Sequence, residues 1–431
     1  MTARINKAIG MRSSTCSSQY MPVSPTEALR RVMDAISPLP TEDCPIGSAH
    51  GRILRGQIKA DRAMPPFDRV TMDGYALRSA VAKRLATEGS LTLKVEGDPQ
   101  MAGMLARSLS DNADDTCMEI MTGAVLPEGA DCVIPYEETT RTGNVVTISA
   151  AALRSLAPGT NVHHRSSDHA EGALLVGSGT RLRGREIAAA ASCGNTSVPV
   201  AALPRIALIA TGDELVDIAL PVAPHQIRRS NDAALRATLI QAGYPCVETH
   251  HLRDVPAEIE RGLHRVLTEC DCVIITGGVS KGRRDHIPAT LAALGVTALF
   301  HGVSQRPGKP LWFGLSSRRK PVFALPGNPV SCYLCLHHYV LPALGKASGA
   351  PPSAPVPIRL GSAIAAMEKL TGFVPVRTAT EGSGVPVAEP QPFNTSGDYT
   401  SLLGTDGYIE LPPQATHYPA GHVVSFFRWV Q

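Results

Sequence analysis

The residues that could do chemistry are concentrated in a few short stretches punctuated by glycine or proline. The sharpest is Thr276-Gly277-Gly278-Val279-Ser280-Lys281-Gly282, directly after the apolar run 272–275. Glycines let backbone amides approach an anion, and a helix start just beyond adds a favourable dipole, so the stretch can cradle a phosphate. It is neither a Walker A loop nor a G-x-G-x-x-G fingerprint. A tight turn would use the same glycines, and on this loop alone the two readings weigh equally.

Acidic groups stand near other expected strand ends: Asp213 and Glu214 in Thr211-Gly212-Asp213-Glu214-Leu215, Asp254 after the run 247–252, and Asp285 beyond the glycine loop. In one parallel sheet these carboxylates would converge on a crevice. They would suit Mg²⁺ beside phosphates, because that cation prefers oxygen ligands and keeps several waters. Capping the following helix is the commoner fate of any one Asp taken alone.

Arg306-Pro307-Gly308-Lys309-Pro310 puts two cations around a stiff turn, which suits an oxyanion held in fixed geometry; an ordinary solvated turn competes with it. Leu325-Pro326-Gly327-Asn328-Pro329-Val330-Ser331 leads into a helix whose free amides could bind an anion, with the same alternative. On physics alone the reading stops at a nucleotide or phosphate-ester site. Cys332 and Cys335 form a C-x-x-C followed by His337 and His338. No second ligand pair has zinc spacing, so a buried helix carrying small thiols is favoured over a metal or redox centre.

The elements that must position these groups follow from periodicity. Ser24 can cap a helix with Pro25 at its first position and Glu27 completing a capping box; Leu29, Val32, Met33 and Ile36 would form its apolar face, and Pro38 and Pro40 stop it after about Ser37. Between 91 and 148, short apolar runs separated by Gly, Pro and Asp turns, such as 91–95 and 145–148, read as a small β domain. From Arg205 onward strand and helix alternate: strand 206–209, helix 232–242, strand 247–252, helix 257–267, strand 272–275 and a helix over about 287–294. That alternation predicts a parallel sheet with helices on both faces and ligands at the carboxyl ends of its strands. Residues 351–357 read as a Pro/Ala linker before a last β-rich domain.

At 431 residues the chain is too long for one ordinary core, and two to four domains are expected. A formal charge of +3 without a Lys/Arg run argues against nucleic acid. No apolar stretch approaches the roughly 20 residues that span a bilayer, so no membrane partner is expected. Residues 1–20 are polar, Ser-rich and without an apolar core, hence read as a disordered tail rather than a secretory signal. Ten cysteines without disulfide-scaffold spacing point to reduced thiols in a cytoplasm.

In order along the chain, Pro65-Pro66-Phe67-Asp68, Met72-Asp73-Gly74-Tyr75-Ala76, Met121-Thr122-Gly123-Ala124, the Thr211–Leu215 stretch, Gly277-Gly278-Val279-Ser280, Pro307-Gly308-Lys309-Pro310 and Leu325-Pro326-Gly327-Asn328-Pro329 resemble the MoeA family. These are the molybdopterin molybdenumtransferases, which include the E domains of gephyrin and its plant counterpart. The resemblance covers nearly all of the chain after the tail, and seven landmarks in the family's order are specific where one would not be.

The resemblance implies a multidomain α/β homodimer: a parallel-sheet, three-layer molybdopterin-binding domain, an N-terminal two-part region with a small β domain, and a C-terminal β-barrel-like domain. The expected bounds are 21–65 with 157–203 for a discontinuous linker domain, 66–156 for the small β domain, 204–348 for the α/β domain and 355–431 for the last. It implies Mg²⁺-dependent insertion of molybdate into adenylyl-molybdopterin with release of AMP, the cleft being completed by the partner subunit. The molybdopterin adenylyltransferase is a further expected partner.

By that similarity Ser280 and Asp285 serve adenylate cleavage with Gly277 and Gly278 at the cofactor, while Asp213, Glu214 and Asp254 shape the Mg²⁺ and phosphate site, Asp285 also being a metal ligand. Asp73, Thr122 and Asp168 reach the cleft across the dimer. Arg306, Lys309, Pro310 and Ser331, with Arg377 and Ser396, form the molybdate pocket; cations and hydroxyl or amide donors replace the hydration shell of a tetrahedral dianion.

Departures from the family pattern are Gly302 for a common lysine, Arg306 for the first lysine of the Lys-Pro-Gly-Lys-Pro turn, Lys281 for an apolar residue, Glu119 at a commonly basic position, and Ser166-Ser167 for Gly-Glu before Asp168. They bear on which oxyanion is bound, molybdate or tungstate, and on rate. The related adenylyltransferase is usually a short single-domain protein, so the additional domains argue against that step. A non-catalytic molybdopterin-binding scaffold or carrier is the alternative of a different class.

Overall fold

The computed structural model describes residues 21–85, 90–110, 114–279, 286–382, 384–391, 395–414 and 416–430. Its centre is a six-stranded sheet in the order Val247–Leu252, Ile206–Thr211, Cys272–Thr276, Pro321–Leu325, Trp312–Leu315, Thr297–His301. Five strands run the same way, and Trp312–Leu315 alone opposes them. The expected parallel sheet is therefore mixed. A short return through the 306–310 turn joins Thr297–His301 to its antiparallel neighbour, which a parallel connection of at least a dozen residues would not allow.

Alternation along each strand sends side chains to two separate cores. Ile206, Leu208, Cys272, Ile274, Phe313, Phe323 and Leu325 face the helices Ser230–Gln241 and Leu341–Ser348. Ala207, Ile209, Val273, Ile275, Val322 and Ala324 face Pro256–Glu269 and Ile287–Ala293. Both faces are covered, which is why these strands read as continuous apolar runs. Phe300, Phe313 and Phe323 stack across adjacent strands, with centroids 5.8 and 4.7 Å apart. Each fully buried ring of this kind contributes about 2–3 kcal/mol from apolar burial.

Pro25–Ala35 also joins the first of these cores, through Ala28, Val32 and Ala35. Its Ser24 hydroxyl accepts from Glu27 N at 3.2 Å, but the reciprocal half of the expected capping box does not form, because Arg30 and Arg31 hold the Glu27 carboxylate. The buried face is correspondingly Ala28, Val32, Ala35 and Ile36, with Leu29 and Met33 at its margin.

The chain then leaves and returns: Thr41–Pro45 pairs antiparallel with Ser197–Ala201, Ile58–Lys59 with Leu174–Val176, and Arg69–Val70 with Val162–His163. Between these pairings lies a second six-stranded sheet, ordered Cys132–Pro135, Gly74–Leu77, Thr116–Ile120, Leu91–Val95, Val145–Ile148, Thr139–Thr142, with its own core. At the other end, Val356–Leu360, Thr371–Thr380, Pro386–Pro390, Gly407–Leu411 and Val423–Arg428 close into a five-strand barrel, because Thr371–Thr380 pairs with both Pro386–Pro390 and Gly407–Leu411. Its first strand begins at Val356, inside the stretch read as linker. Phe373, Tyr408 and Trp429 seat the barrel on Leu334 of the α/β domain. No helix among the described residues is long and apolar enough to cross a membrane.

Candidate active site

Strand direction fixes where the chemistry gathers. Ile206–Thr211, Val247–Leu252, Cys272–Thr276 and Pro321–Leu325 end at one edge of the sheet, and the turn after Thr297–His301 lies at that edge as well. Asp213 and Glu214 follow the first strand, Asp254 the second, Gly277 and Gly278 the third, and Pro326-Gly327-Asn328 the fourth.

Asp213 Oδ1 accepts from Asp254 N at 3.1 Å, and His251 Nε2 lies 2.9 Å from Gly212 O, which ties the first two loops together. Asp213 and Glu214 are exposed and Asp254 is half-buried. Burial, then the negative charges of Asp213 and Glu214, push the Asp254 carboxyl above its ordinary value, and nearby His286 opposes this. Asp213 and Glu214 thus lie close enough to oppose the ionisation of Asp254. Among the described residues no three His, Cys, Asp or Glu side chains are grouped so that they could hold a metal ion.

The glycine stretch has a steric reason for its composition. Gly277 has φ +91°, and a Cβ there would meet Thr211 O at 2.8 Å, because its N donates to Leu325 O at 3.1 Å and the loop crosses tightly between two strand ends. Val279 O is 3.1 Å from His301 Nε2, which joins this loop to the start of the cationic turn. Ser280, Lys281 and Asp285 lie outside the described residues.

In the cationic turn, Arg306 and Lys309 are exposed, Pro310 is half-buried and the Arg306–Pro307 peptide is cis. Neither cation has a hydrogen bond or ion pair among the described residues. Beneath them Gln305 is wholly buried: its Nε2 donates to Pro307 O at 3.0 Å and its Oε1 accepts from Tyr339 Oη. Gln305–Arg306 also pairs with Thr371–Gly372, fastening the turn to the barrel. Gly302 has φ +94°, a backbone that opposes the lysine expected there.

Ser331 is buried in the helix Pro329–Cys335. Ser396 is brought to the start of that helix, where its Oγ accepts from Asn328 Nδ2 at 2.7 Å and its carbonyl from Val330 N at 3.0 Å. Arg377 is instead exposed on the barrel strand Thr371–Thr380, paired in register with Glu389, and no hydrogen bond joins it to the turn among the described residues. Cys332 and Cys335 are fully buried free thiols, and desolvation pushes both well above the ordinary thiol range. They are packing groups, as the buried-helix reading expects.

The N-terminal group sits apart. Asp73 Oδ1 accepts from Thr122 N and Oγ1, both at 2.7 Å, and these bonds lower the pKa of this exposed carboxyl. Asp168 Oδ1 is 2.9 Å from His163 Nε2, whose Nδ1 is 3.1 Å from an Arg69 guanidinium nitrogen. Among the described residues neither group bonds to the sheet edge. Glu119 is committed locally, accepting from Tyr136 Oη at 2.7 Å and Arg141 Nη1 at 2.6 Å. Ser166, standing for a family glycine, has φ +67°.

Sequence reasoning missed Gln305, Tyr339, Asn231 and the histidines His251, His286 and His301. Asn231 Nδ2 donates to Gly327 O at 2.7 Å and so holds the fourth strand-end loop. The usable signal was a polar residue next to a motif, as for Gln305 before Arg306-Pro307; nothing local marks Tyr339.

Comparison with known proteins gives a consistent result across the chain. Residues 23–194 match the MoeA N-terminal region (domain I and II), 207–346 a probable molybdopterin binding domain, and 357–429 the MoeA C-terminal region (domain IV). The chain is 39% identical over 385 residues to a molybdopterin molybdenumtransferase of Synechocystis, covering 89% of this chain and 94% of that one. It is 30% identical over 405 residues to that of Bacillus subtilis, covering 94% and 93%. The crystal structure of a molybdopterin biosynthesis MoeA protein from Pyrococcus horikoshii superposes with a TM-score of 0.80 at 28% identity, over 95% of this chain and all of that one.

Proposed function

The chain belongs to the MoeA family of molybdopterin molybdenumtransferases, and we propose that it inserts molybdate into adenylylated molybdopterin in a Mg²⁺-dependent reaction that releases AMP. The observation that carries this reading is one sheet edge where repelling carboxylates, a tight glycine loop and a rigid turn with two exposed cations all gather.

The residues divide the work by charge. Gly277 and Gly278 let the adenylate phosphates approach the strand end, and Ser280 and Asp285 complete the cleavage site. One or two of Asp213, Glu214 and Asp285 would hold Mg²⁺, with Asp254 shaping the site, and the ion would neutralise phosphate oxygens. Arg306 and Lys309 take the oxyanion, with Pro310 stiffening the turn and Ser331 and Ser396 supplying hydroxyls at the neighbouring helix start. Arg377, on the barrel strand whose start pairs with the turn, would contribute a further cation. Lys309 and Arg306 replace the dianion's hydration with charge-assisted hydrogen bonds.

Among the described residues, Asp73, Thr122 and Asp168 have no partner at this edge; a homodimer would bring a second copy's set to it. Our division into 21–65 with 157–203, 66–156, 204–348 and 355–431 is supported by the antiparallel returns and separate cores. We place the reaction in the cytoplasm, downstream of a molybdopterin adenylyltransferase.

Incubating the purified chain with adenylylated molybdopterin, Mg²⁺ and molybdate or tungstate, and following AMP release and metal loading, tests this. Oxyanion-dependent release, abolished in Asp285→Ala, is expected. Tight binding of the pterin nucleotide without release would instead identify a scaffold or carrier.

A further inference from the structure

The reaction as read uses Arg306 and Lys309 but assigns nothing to the buried polar group beneath them. Gln305 is 0% exposed, as are Tyr339 and Cys335. A buried primary amide must satisfy both donor and acceptor ends, and here each is spoken for: Tyr339 Oη donates to Oε1, while Nε2 donates to Pro307 O at 3.0 Å and lies 3.7 Å from Cys335 Sγ. Cys335 and Tyr339 lie four residues apart in the helical run that begins at Pro329 and carries Ser331.

The turn is moulded onto this group. Gly308 has φ +97°, and a Cβ there would collide with Gln305 Nε2 and stand 2.8 Å from Cys335 Sγ. Backbone bonds from Val303 N to Lys309 O (2.8 Å) and Leu311 N to Gly308 O (3.2 Å) close the loop above it. The cations themselves are exposed and unpaired among the described residues, so their placement is inherited from the backbone on which they stand.

We infer that Gln305, oriented by Tyr339, is a positioning residue for the oxyanion: it fixes the 305–309 backbone so that Arg306 and Lys309 meet the dianion at a preset spacing. Two long cationic side chains on a loose turn would surrender their freedom only on binding; a turn fixed in advance lowers that cost. This rests on the reading of Arg306 and Lys309 as the oxyanion site.

Tyr339→Phe removes only the hydroxyl that orients Gln305, and Gln305→Met keeps size while removing both hydrogen-bonding ends. In the full chain, AMP release is titrated against molybdate and, separately, against adenylylated molybdopterin, with thermal midpoints recorded. The KM for molybdate should rise about tenfold in Tyr339→Phe and more in Gln305→Met, with the KM for the pterin nucleotide nearly unchanged. Gln305→Glu, which can accept from Tyr339 but cannot donate to Pro307, should resemble Gln305→Met.

Lys309→Gln and Arg306→Gln separate the two ideas. If they raise the molybdate KM but Tyr339→Phe and Gln305→Met do not, the positioning role is overturned and the oxyanion site stands. If the cation variants leave that KM unchanged, the oxyanion site itself fails. Should Gln305→Met not fold, Tyr339→Phe decides; a variant that loses stability and turnover without a selective molybdate effect shows a purely structural role.

Discussion

The acidic and basic sides of the sheet edge are built by different means. Asp213, Glu214 and Asp254 arrive there because parallel strands end together; backbone bonds such as Ile227 N to Glu214 O, and Asp254 N to Asp213 Oδ1, hold their loops, while the Asp213 and Glu214 carboxylates stay exposed. Arg306 and Lys309 stand on a turn locked from below by a buried amide, a buried phenol and a glycine-shaped gap. Repelling carboxylates can adjust around a hydrated cation, which tolerates a soft cage. A tetrahedral oxyanion recognised by directional hydrogen bonds gains more from donors fixed in advance.

Substituting the glycines is the harshest way to break the contrast. Gly277→Ala and Gly308→Ala should each cost about 3–4 kcal/mol, because a left-handed backbone and a close contact both oppose the methyl group. Thermal unfolding measures this, and retention of wild-type stability in either would show that the loops relax. Gly308→Ala should also lose molybdate saturation, whereas Gly277→Ala should lose the pterin nucleotide.

Acid should weaken the locked side through its supporting helix. His337 and His338 are buried among Tyr333, Phe373, Tyr408, Phe427 and Trp429, and desolvation lowers both from 6.5 to about 4. The unfolded imidazoles therefore bind protons before the folded ones do. Stability from these groups is intact above pH 6.5 and falls as the pH drops from 6.5 to about 4, by about 3 kcal/mol for each histidine. A His338→Gln chain should show a shallower fall in denaturation midpoint across that window, and an unchanged slope would contradict the account.

On the soft side, Asp213→Asn should leave the fold intact and slow AMP release by roughly 10²-fold, partly recoverable with excess Mg²⁺. No recovery would argue that Asp213 serves the substrate rather than the cation. The smallest effect belongs far from the edge: Ser24→Ala removes the cap of Pro25–Ala35 and should cost about 1 kcal/mol in denaturant titration without altering turnover.

Much of this could be read from the sequence because it is local. Apolar periodicity and turn residues placed Val247–Leu252, Cys272–Thr276 and the helix beginning at Ile287 within a residue or so, and strand-end placement brought Asp213 and Asp254 together as expected. The mixed sheet escaped, since one short run of apolar residues looks alike in either direction. The register that sets Arg377 opposite Glu389 in the closed barrel was likewise not legible, because barrel closure joins strands far apart in the chain.

By itself the sequence determined the α/β alternation, the edge where ligands belong and the residue types gathered there, because these depend on spacing along a few turns or strands. Tertiary structure alone decided that Gln305 would find Tyr339 across 34 positions and Cys335 across 30. A hydrogen bond between buried groups that far apart leaves no periodic trace in the chain, and it forms only when two packed elements bring both partners out of water together.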